Sequence, residues 1–200
     1  MSLHADALRV LESWTAPDAD QEARRQEYVE HLRAEADGVW KASFPVHLTA
    51  GALVLDHDGA RVLLNLHRKA RRWFAFGGHL EPGDTTLAGA ALREGTEESG
   101  LVGLVVDPSP VHLSAHTVDF CDPRGTVTHF DVRFLARLGA QVDPVVSDES
   151  LEVRWFDVDD VPTDEQDMLD LIRLARARLA DGDQSQGSKS NPAAAATPSR

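Results

Sequence analysis

The chain has 200 residues, of which 42% are hydrophobic, so it can form one globular domain with a core and additional segments. A formal net charge of −13 and a pI near 5.0 disfavour nonspecific binding to nucleic acid or to anionic lipid, because the surface would repel both. The single cysteine, Cys121, excludes an internal disulfide, and neither a secretory signal nor a membrane-spanning run is found, so a cytoplasmic protein is expected.

The first forty-odd residues are predicted to be helical. Apolar residues recur at helical spacing in "LHADALRVLESW" and again in "EARRQEYVEHLRAEADGVW", and "APD" breaks the pattern between them. We assign residues 1–45 to an N-terminal helical extension. Three roles stay open for it: a dimer interface, a cap over a functional site, and a plain extension of the domain.

From Val46 onward the pattern is typical of strands. "HLTAGALVL" and "ARVLLNL" flank "DHDGA", whose Asp and Gly suit a hairpin turn. A loop rich in glycine, "GGHLEPGDTT", then precedes a helix predicted from Leu87 to Ser99, which Gly100 is expected to end in the left-handed conformation. We expect small residues on one face of this helix to pack closely on a sheet, namely Ala88, Leu92, Gly95 and Ser99.

Further strands are predicted at residues 102–106, 111–120, 126–137 and 151–156. The segment from Val111 to Leu135 is expected to form a hairpin around "CDPRG", which places His116 beside His129. Two histidines can bind a metal, but the sequence shows no third ligand here, and we expect hydrogen-bonded neighbours lining a pocket.

A closing helix is predicted in "PTDEQDMLDLIRLARARLA". Thr163 is its expected N-cap, and Gln166 would complete a capping box. Residues 181–200 have almost no large apolar side chain to bury and are predicted to be a disordered tail.

Three carboxylates, Glu94, Glu97 and Glu98, fall within about one quadrant of the helix from Leu87 to Ser99. Like charges at this spacing destabilise a helix, so a cation or water must compensate them. Magnesium is one candidate, because it binds carboxylate oxygens, and solvent is the other. Arg93 lies one turn before Glu97 and can neutralise one carboxylate.

The stretch "GGHLEPGDTTLAGAALREGTEESGL" resembles the signature of the Nudix hydrolases. That signature runs Gly, five residues, Glu, seven residues, then Arg-Glu-apolar-x-Glu-Glu-x-Gly-apolar. Matching positions are occupied by Gly78, Arg93, Glu94, Glu97, Glu98, Gly100 and Leu101. The resemblance implies an α+β Nudix fold over residues 46–180, in which helices sandwich a mixed sheet.

The match departs from the family pattern in the loop. Counting forward from Gly78 puts Asp84 in the slot of the first Glu, whereas counting back from Arg93 puts Thr85 there, so the loop carries a one-residue insertion. The first Glu is missing in either register. In the family this residue chiefly supports the loop and helix, so its loss affects positioning more than chemistry.

The resemblance implies a Mg²⁺-dependent hydrolase, with Mn²⁺ as an alternative ion, that cleaves a diphosphate bond in a nucleotide-type or related substrate. Its implied metal ligands are the carbonyl of Gly78 and the side chains of Glu94, Glu97 and Glu98. The implied catalytic residues are Glu97, Glu98 and Arg93. A late loop is expected to supply the general base, where Glu149 is preferred over Asp148 and Glu152. Glu98 is an alternative base.

The run "HRKARRW" is a positive segment in an acidic chain. Arg68 and Arg72 are candidate phosphate-binding residues, and His79 in the signature loop is a candidate substrate contact; a solubilising basic turn is the alternative. The expected partner is therefore a small molecule, with no nucleic acid and no membrane, and a homodimer is an option because many Nudix proteins are dimers.

Two other functions compete with hydrolysis. A Nudix-like module could bind a nucleotide for regulation with weak or no catalysis, which the missing first Glu favours and the three intact glutamates oppose. An isomerase of the isopentenyl diphosphate type uses a Cys and a Glu, but Cys121 lies outside the loop that such chemistry requires.

Overall fold

A mixed β-sheet lies between two layers of helices in the computed structural model, which describes residues 1–138, 143–145 and 150–187. The helices are α1 Leu3–Ser13, α2 Ala19–Ala34, α3 Leu87–Ser99 and α4 Gln166–Gly187. The strands are β1 Val46–Leu55, β2 Arg61–His67, β3 Trp73–Phe74, β4 Phe76–His79, β5 Leu104–Asp122, β6 Gly125–Leu138 and β7 Ser150–Asp157. This arrangement confirms the predicted α+β class.

Strand β1 is the centre of the sheet. It pairs antiparallel with β2 and β4 and parallel with β6, in a regular register from Val46 opposite Thr128 to Leu55 opposite Arg137. The hairpin of β1 and β2 at "DHDGA" is confirmed by the pairing of Leu55 with Val62. Strand β5 pairs with β6, while β3 and β7 both pair with β2.

Alternation along β1 and β6 gives the sheet two apolar faces. One face carries Leu48 and Phe130 and packs against α1, α2 and α3. The opposite face carries Leu53 and Leu135 and packs against α4 through residues such as Leu171. No helix in the described ranges is long and apolar enough to cross a membrane.

The two N-terminal helices are bonded directly to the sheet. The Gln21 amide donates to the carbonyl of Leu113 at 3.0 Å and accepts from its N–H at 2.7 Å. Tyr28 donates to the carbonyl of Ser114 at 2.6 Å, and the buried carboxylate of Asp6 accepts from the N–H of Leu87 at 2.9 Å. Helices α1 and α2 therefore share a core with the sheet and also hold the start of α3.

Two predicted strands prove to be one. Strand β5 runs without interruption from Leu104 to Asp122, although the sequence predicted a gap between residues 106 and 111. The register shifts between Val106 and Pro110 and again between Pro110 and His112. Prolines are tolerated on edge strands such as β5, and the irregular register accommodates "DPSP" without ending the strand.

The closing helix differs from its prediction at both ends. Helix α4 begins at Gln166, and Thr163 accepts from the N–H of Glu165 before the helix starts, so the predicted capping box is wrong. The N–H groups of Met168 and Leu169 bond instead to the carbonyl of Glu165. The helix continues to Gly187, beyond the predicted start of the tail, and residues 188–200 lie outside the described residues.

Replacing Gln21 should weaken the attachment of α2 to the sheet. Gln21→Ala leaves the N–H and the carbonyl of buried Leu113 without their partner, so we expect a loss of about 2–3 kcal/mol in the free energy of unfolding. Urea denaturation followed by circular dichroism measures it. Gln26→Ala in the same helix, at an exposed position, should change stability by less than about 0.5 kcal/mol. Equal effects of the two substitutions would contradict the docking role.

Candidate active site

Helix α3 begins and ends at the residues that the sequence predicted. Thr86 is the N-cap, and its hydroxyl accepts from the N–H of Gly89 at 3.0 Å. Gly100 is the C-cap with φ of 67°, and its N–H bonds to the carbonyl of Thr96 at 2.9 Å. Leu101 is fully buried beyond the cap, as expected for the partner of a left-handed C-cap.

The face of α3 that meets the sheet is only partly the predicted one. Gly95 lies close to the sheet, because a Cβ there would be 3.5 Å from the Cβ of Ala52, and Ser99 is buried. Leu92 is 37% exposed, however, which contradicts its place in the predicted packing face. The buried face instead consists of Leu87, Ala90, Ala91, Gly95, Glu98 and Ser99. One of the three acidic residues is therefore directed at the sheet.

Glu98 is that residue, with 8% of its surface exposed. Its Oε2 accepts from the backbone N–H of Gly77 at 3.1 Å and from the side-chain amide of Asn65 at 3.3 Å. Strand β4 and strand β2 thus each supply a donor to the same oxygen. These bonds stabilise a buried carboxylate that would otherwise be costly to desolvate.

Glu94 lies against the glycine-rich strand β4. A Cβ added at Gly78 would be 2.7 Å from Oε1 and 3.0 Å from Oε2 of Glu94, so a larger residue there would displace the Glu94 carboxylate. Gly78 is fixed in place by its pairing with Ala50 on β1. Glu94 and the backbone of Gly78 therefore form one wall of the site.

Arg93 connects the helix to the loop before it. Its Nη1 donates to Glu94 at 2.9 Å and to Glu97 at 3.2 Å, and its Nη2 donates to the carbonyl of His79 at 3.0 Å. Its Nε and Nη2 also donate to the two carboxylate oxygens of Asp84, at 3.2 and 3.1 Å. The hydrogen bonds to Asp84, together with Glu94, raise the pKa of Arg93 above its ordinary value, so the guanidinium stays charged.

Asp84 is the loop carboxylate that sequence counting left unassigned. Its side chain is 7% exposed, and it also accepts from the N–H of Glu81 at 2.8 Å. Counting forward from Gly78 reaches Asp84, and the structure places this residue against Arg93. The loop therefore keeps an acidic support, although its side chain is one methylene shorter than the glutamate of the family pattern.

Glu97 is the most exposed of the three helix carboxylates, with 61% of its side chain accessible. It shares Arg93 Nη1 with Glu94, which brings one oxygen of each carboxylate to the same nitrogen. The predicted repulsion along the helix is thus offset by one guanidinium that contacts two of the acids. The third, Glu98, is balanced separately by donors from the sheet.

A model of the NUDIX domain matches residues 45–175 of the chain. The chain belongs to the Nudix family. The C. elegans Ap4A hydrolase, solved as a binary complex, is 23% identical with a TM-score of 0.54, over 67% of this chain and 98% of that one. The NUDIX domain of Shewanella oneidensis NrtR, complexed with ADP ribose, is 22% identical with a TM-score of 0.52, over 75% of this chain and 97% of that one. At these identities the two structures share the fold.

The family assignment makes the chain a Nudix phosphohydrolase, and Nudix hydrolases generally use divalent metal ions. The side chains beside Gly78 fit such an ion. They offer carboxylate oxygens, the ligand type that hard divalent cations prefer. The glycine at position 78 also keeps the backbone free of a Cβ where Glu94 lies, so this carboxylate packs directly against strand β4. The donor set of this Nudix site is therefore one for a hard cation.

The basic residues named from the sequence lie at the turn between β2 and β3. Arg72 forms an ion pair with Glu165, just before α4, and 61% of its side chain is exposed. Arg68 donates to the carbonyl of Ser150, the first residue of β7, at 3.1 Å. The structure thus ties this basic segment to β7 and to the start of α4.

His79 contributes to the Nudix site through its backbone and not through its ring. Its carbonyl accepts from Arg93, but its Nε2 lies 3.2 Å from the sulfur of Cys121. Burial, with Lys41 and His47 nearby, lowers the pKa of His79 to about 4, so the ring carries no charge at neutral pH. The predicted general base, Glu149, lies outside the described residues, whereas Glu152 belongs to β7 and forms an ion pair with Arg154.

The predicted pairing of two histidines on a hairpin is confirmed. His116 on β5 lies opposite His129 on β6, and their ring centroids are 5.3 Å apart. His116 is exposed. His129 has other neighbours that the sequence did not reveal, and Cys121 lies 3.3 Å from its Nε2.

Removing the charge of Asp84 should loosen the loop without removing a helix carboxylate. Asp84→Asn deprives Arg93 of its bidentate partner, so we expect a loss of about 1–3 kcal/mol in the free energy of unfolding. Chemical denaturation measures it. Glu81→Gln, an exposed position in the same loop, should stay within about 0.5 kcal/mol of the parent. A fully stable Asp84→Asn variant would contradict the supporting role.

Proposed function

We propose that the chain hydrolyses a diphosphate bond in a nucleotide-type substrate with Mg²⁺ as the metal and Mn²⁺ as a functional substitute. The observation that carries this proposal is the joint placement of buried Glu98, Glu94 against Gly78, and Glu97 on Arg93. The proposed ligands are the carboxylates of Glu94, Glu97 and Glu98 with the carbonyl of Gly78. Magnesium accepts this mixture of oxygen ligands and keeps positions for water and substrate phosphate.

A diphosphate is difficult to attack because negative charge accumulates on oxygens that are already anionic. A bound divalent ion offsets that charge, orients the phosphates and lowers the pKa of its water. The chain supplies the positioning. Arg93 keeps Glu94 and Glu97 together and fixes the backbone at His79, while Asn65 and the N–H of Gly77 orient Glu98.

The net charge of −13 gives the substrate phosphates little general attraction, so local positive charge is needed. Arg68 and Arg72 are the proposed phosphate contacts. Both belong to the turn that follows β2, the strand that also supplies Asn65 to Glu98. Of the two proteins with the same fold, the one from C. elegans is named an Ap4A hydrolase, and the one from Shewanella is complexed with ADP ribose. We propose substrates of this type, in which a diphosphate links a nucleotide to another group.

Hydrolysis should depend on the carboxylates and on magnesium. The full chain is incubated with Mg²⁺ and a panel of Ap4A, ADP-ribose, nucleoside triphosphates and non-nucleotide diphosphates, and products are separated by chromatography. We expect cleavage of a nucleotide-type member, lost on metal chelation and reduced at least about 100-fold by Glu94→Gln or Glu98→Gln.

Glu30→Gln, an exposed glutamate on α2, is the matched control and should retain the parent rate. Tight nucleotide binding without turnover would contradict hydrolysis and favour a regulatory module. Full activity in the Glu98→Gln variant would contradict the proposed metal ligands.

Glu149 is the proposed general base. Ser150 pairs with His67 at the end of β2, so Glu149 immediately precedes a strand that lies beside the one carrying Asn65. Glu149→Gln should lower kcat by roughly 100-fold to 10,000-fold and remove the acidic limb of the pH–rate profile, with little change in KM. Glu152→Gln, three residues along the same segment, should leave kcat within about twofold of the parent. The reverse ranking would identify Glu152 as the base.

A further inference from the structure

Four potential metal ligands converge at one end of the sheet, outside the carboxylate site. They lie on four different strands: His47 on β1, His79 on β4, Cys121 on β5 and His129 on β6. The registers bring these strands together there, because His47 pairs directly with His129 and Thr49 pairs with His79. His47 is fully buried and the other three are half-buried, so an ion can reach the cluster from solvent.

The cluster lies on the opposite side of the sheet from α3. His47 and His129 alternate with Leu48 and Phe130, which face α1, α2 and α3. In β4 the alternation separates two neighbours: Gly78 faces Glu94, whereas the ring of His79 packs against His47 and His129. The sheet therefore separates this cluster from the carboxylates of α3.

The three imidazole rings surround the sulfur of Cys121. Their centroids form a triangle with sides of 5.2, 4.9 and 5.1 Å. The sulfur lies 3.2, 3.3 and 4.0 Å from the Nε2 atoms of His79, His129 and His47. All four ligand atoms lie within 4.8 Å of one another.

These distances suit tetrahedral coordination. With metal–nitrogen bonds near 2.05 Å and a metal–sulfur bond near 2.3 Å, the ligand atoms of a tetrahedral ion are about 3.3–3.6 Å apart. Two of the three sulfur–nitrogen distances already lie close to that range, and the third, to His47, needs to shorten by only about half an ångström.

One ligand is already oriented for metal binding by its second nitrogen. Nδ1 of His47 lies 3.1 Å from the carbonyl of Ser43. Because a carbonyl only accepts, the hydrogen of the neutral ring is on Nδ1, and Nε2 presents its lone pair to the cluster. This second contact, from the remote nitrogen to a backbone carbonyl, is the usual arrangement around a metal-bound histidine.

A cluster held only by hydrogen bonds fits this geometry less well. In such a cluster Nε2–H groups of His79 and His129 donate to the sulfur and the thiol donates to Nε2 of His47, but a thiol is a weak donor and a weak acceptor, and the last contact is long at 4.0 Å. A cation at the centre uses all four lone pairs at once.

We propose that His47, His79, Cys121 and His129 form a zinc site that is separate from the proposed magnesium site. Three imidazole nitrogens and one thiolate match the ligand preference of Zn²⁺ and oppose that of Mg²⁺, which prefers oxygen. On binding, the thiol proton of Cys121 passes to solvent and the sulfur takes its place in the coordination shell. The ion joins β1, β4, β5 and β6, and so holds the strand that carries Gly78.

Cobalt provides a test that does not depend on hydrolysis. The full chain, without a histidine tag and freed of metal by chelation, is titrated with Co²⁺ and followed by absorption. We expect one equivalent to produce the visible bands of a tetrahedral site and a near-ultraviolet band of thiolate-to-cobalt charge transfer, and Zn²⁺ to abolish both. Excess Mg²⁺ should leave the spectrum unchanged.

Substitutions identify the ligands. Cys121→Ser should remove the charge-transfer band, and His129→Asn should weaken cobalt binding at least about tenfold. His116→Asn, which changes the exposed histidine beside His129, is the matched control and should leave the spectrum as in the parent. Zn²⁺ should also raise the Tm of the parent and of His116→Asn by several degrees, but not that of Cys121→Ser.

The proposal is overturned if the parent shows no charge-transfer band, or if Cys121→Ser retains it. Far-ultraviolet circular dichroism establishes that each variant is folded. Should His129→Asn unfold, the spectrum of Cys121→Ser alone tests the proposal. This variant should fold, because it only replaces one half-buried sulfur by oxygen. Loss of hydrolysis in the glutamate variants has no bearing on these spectra, so the two proposed sites fail or stand independently.

Discussion

The carboxylate site depends on the hydrogen bonds that the guanidinium of Arg93 donates. This group is bonded to the loop through Asp84 and the carbonyl of His79, and to its own helix through Glu94 and Glu97. A planar group with five donors in a fixed arrangement can hold these acceptors at once, which a lysine could not do. The loop and the helix are thereby kept in one relative position, with Gly78 beside Glu94.

The same cation resolves the electrostatic conflict that the sequence poses. Three carboxylates on one quadrant of a helix destabilise it when isolated, yet here two different sets of donors compensate them. Glu94 and Glu97 share Arg93, and Glu98 is placed against the donors of β2 and β4. Glu97 is the most exposed of the three carboxylates. A cation from solvent therefore has the easiest access there to the negative charge that remains.

Much of this was predictable because the signals are local. The bounds of α3, its left-handed cap at Gly100 and the hairpin of β1 and β2 follow from periodicity and turn residues within a few positions. Which face of α3 packs on the sheet was not predictable in the same way. Periodicity groups the acids, but burial of Glu98 and exposure of Leu92 depend on the amide of Asn65 and the N–H of Gly77, which only the folded sheet brings near.

The histidine cluster was hidden for a related reason. A local hairpin pairs His116 with His129, and the sequence revealed that much. His47 reaches His129 through the parallel pairing of β1 with β6, across 82 positions of the chain, and His79 joins through a third strand. No spacing rule connects those residues, because the order of strands in the sheet is a property of the whole fold.

Strand β4 gives the two proposed metal sites a common element. Successive side chains of a strand point to opposite faces, so adjacent residues can serve sites of different chemistry. Gly78 faces the carboxylates of α3, and His79 faces imidazoles and a thiol. The oxygen ligands of the proposed carboxylate site suit magnesium, and the nitrogen and sulfur ligands of the proposed histidine site suit zinc, so magnesium competes poorly for the histidine cluster. An ion bound to the ring of His79 would restrain the backbone of this residue, whose carbonyl accepts a hydrogen bond from Arg93. His79 alone would therefore connect the two proposed sites mechanically.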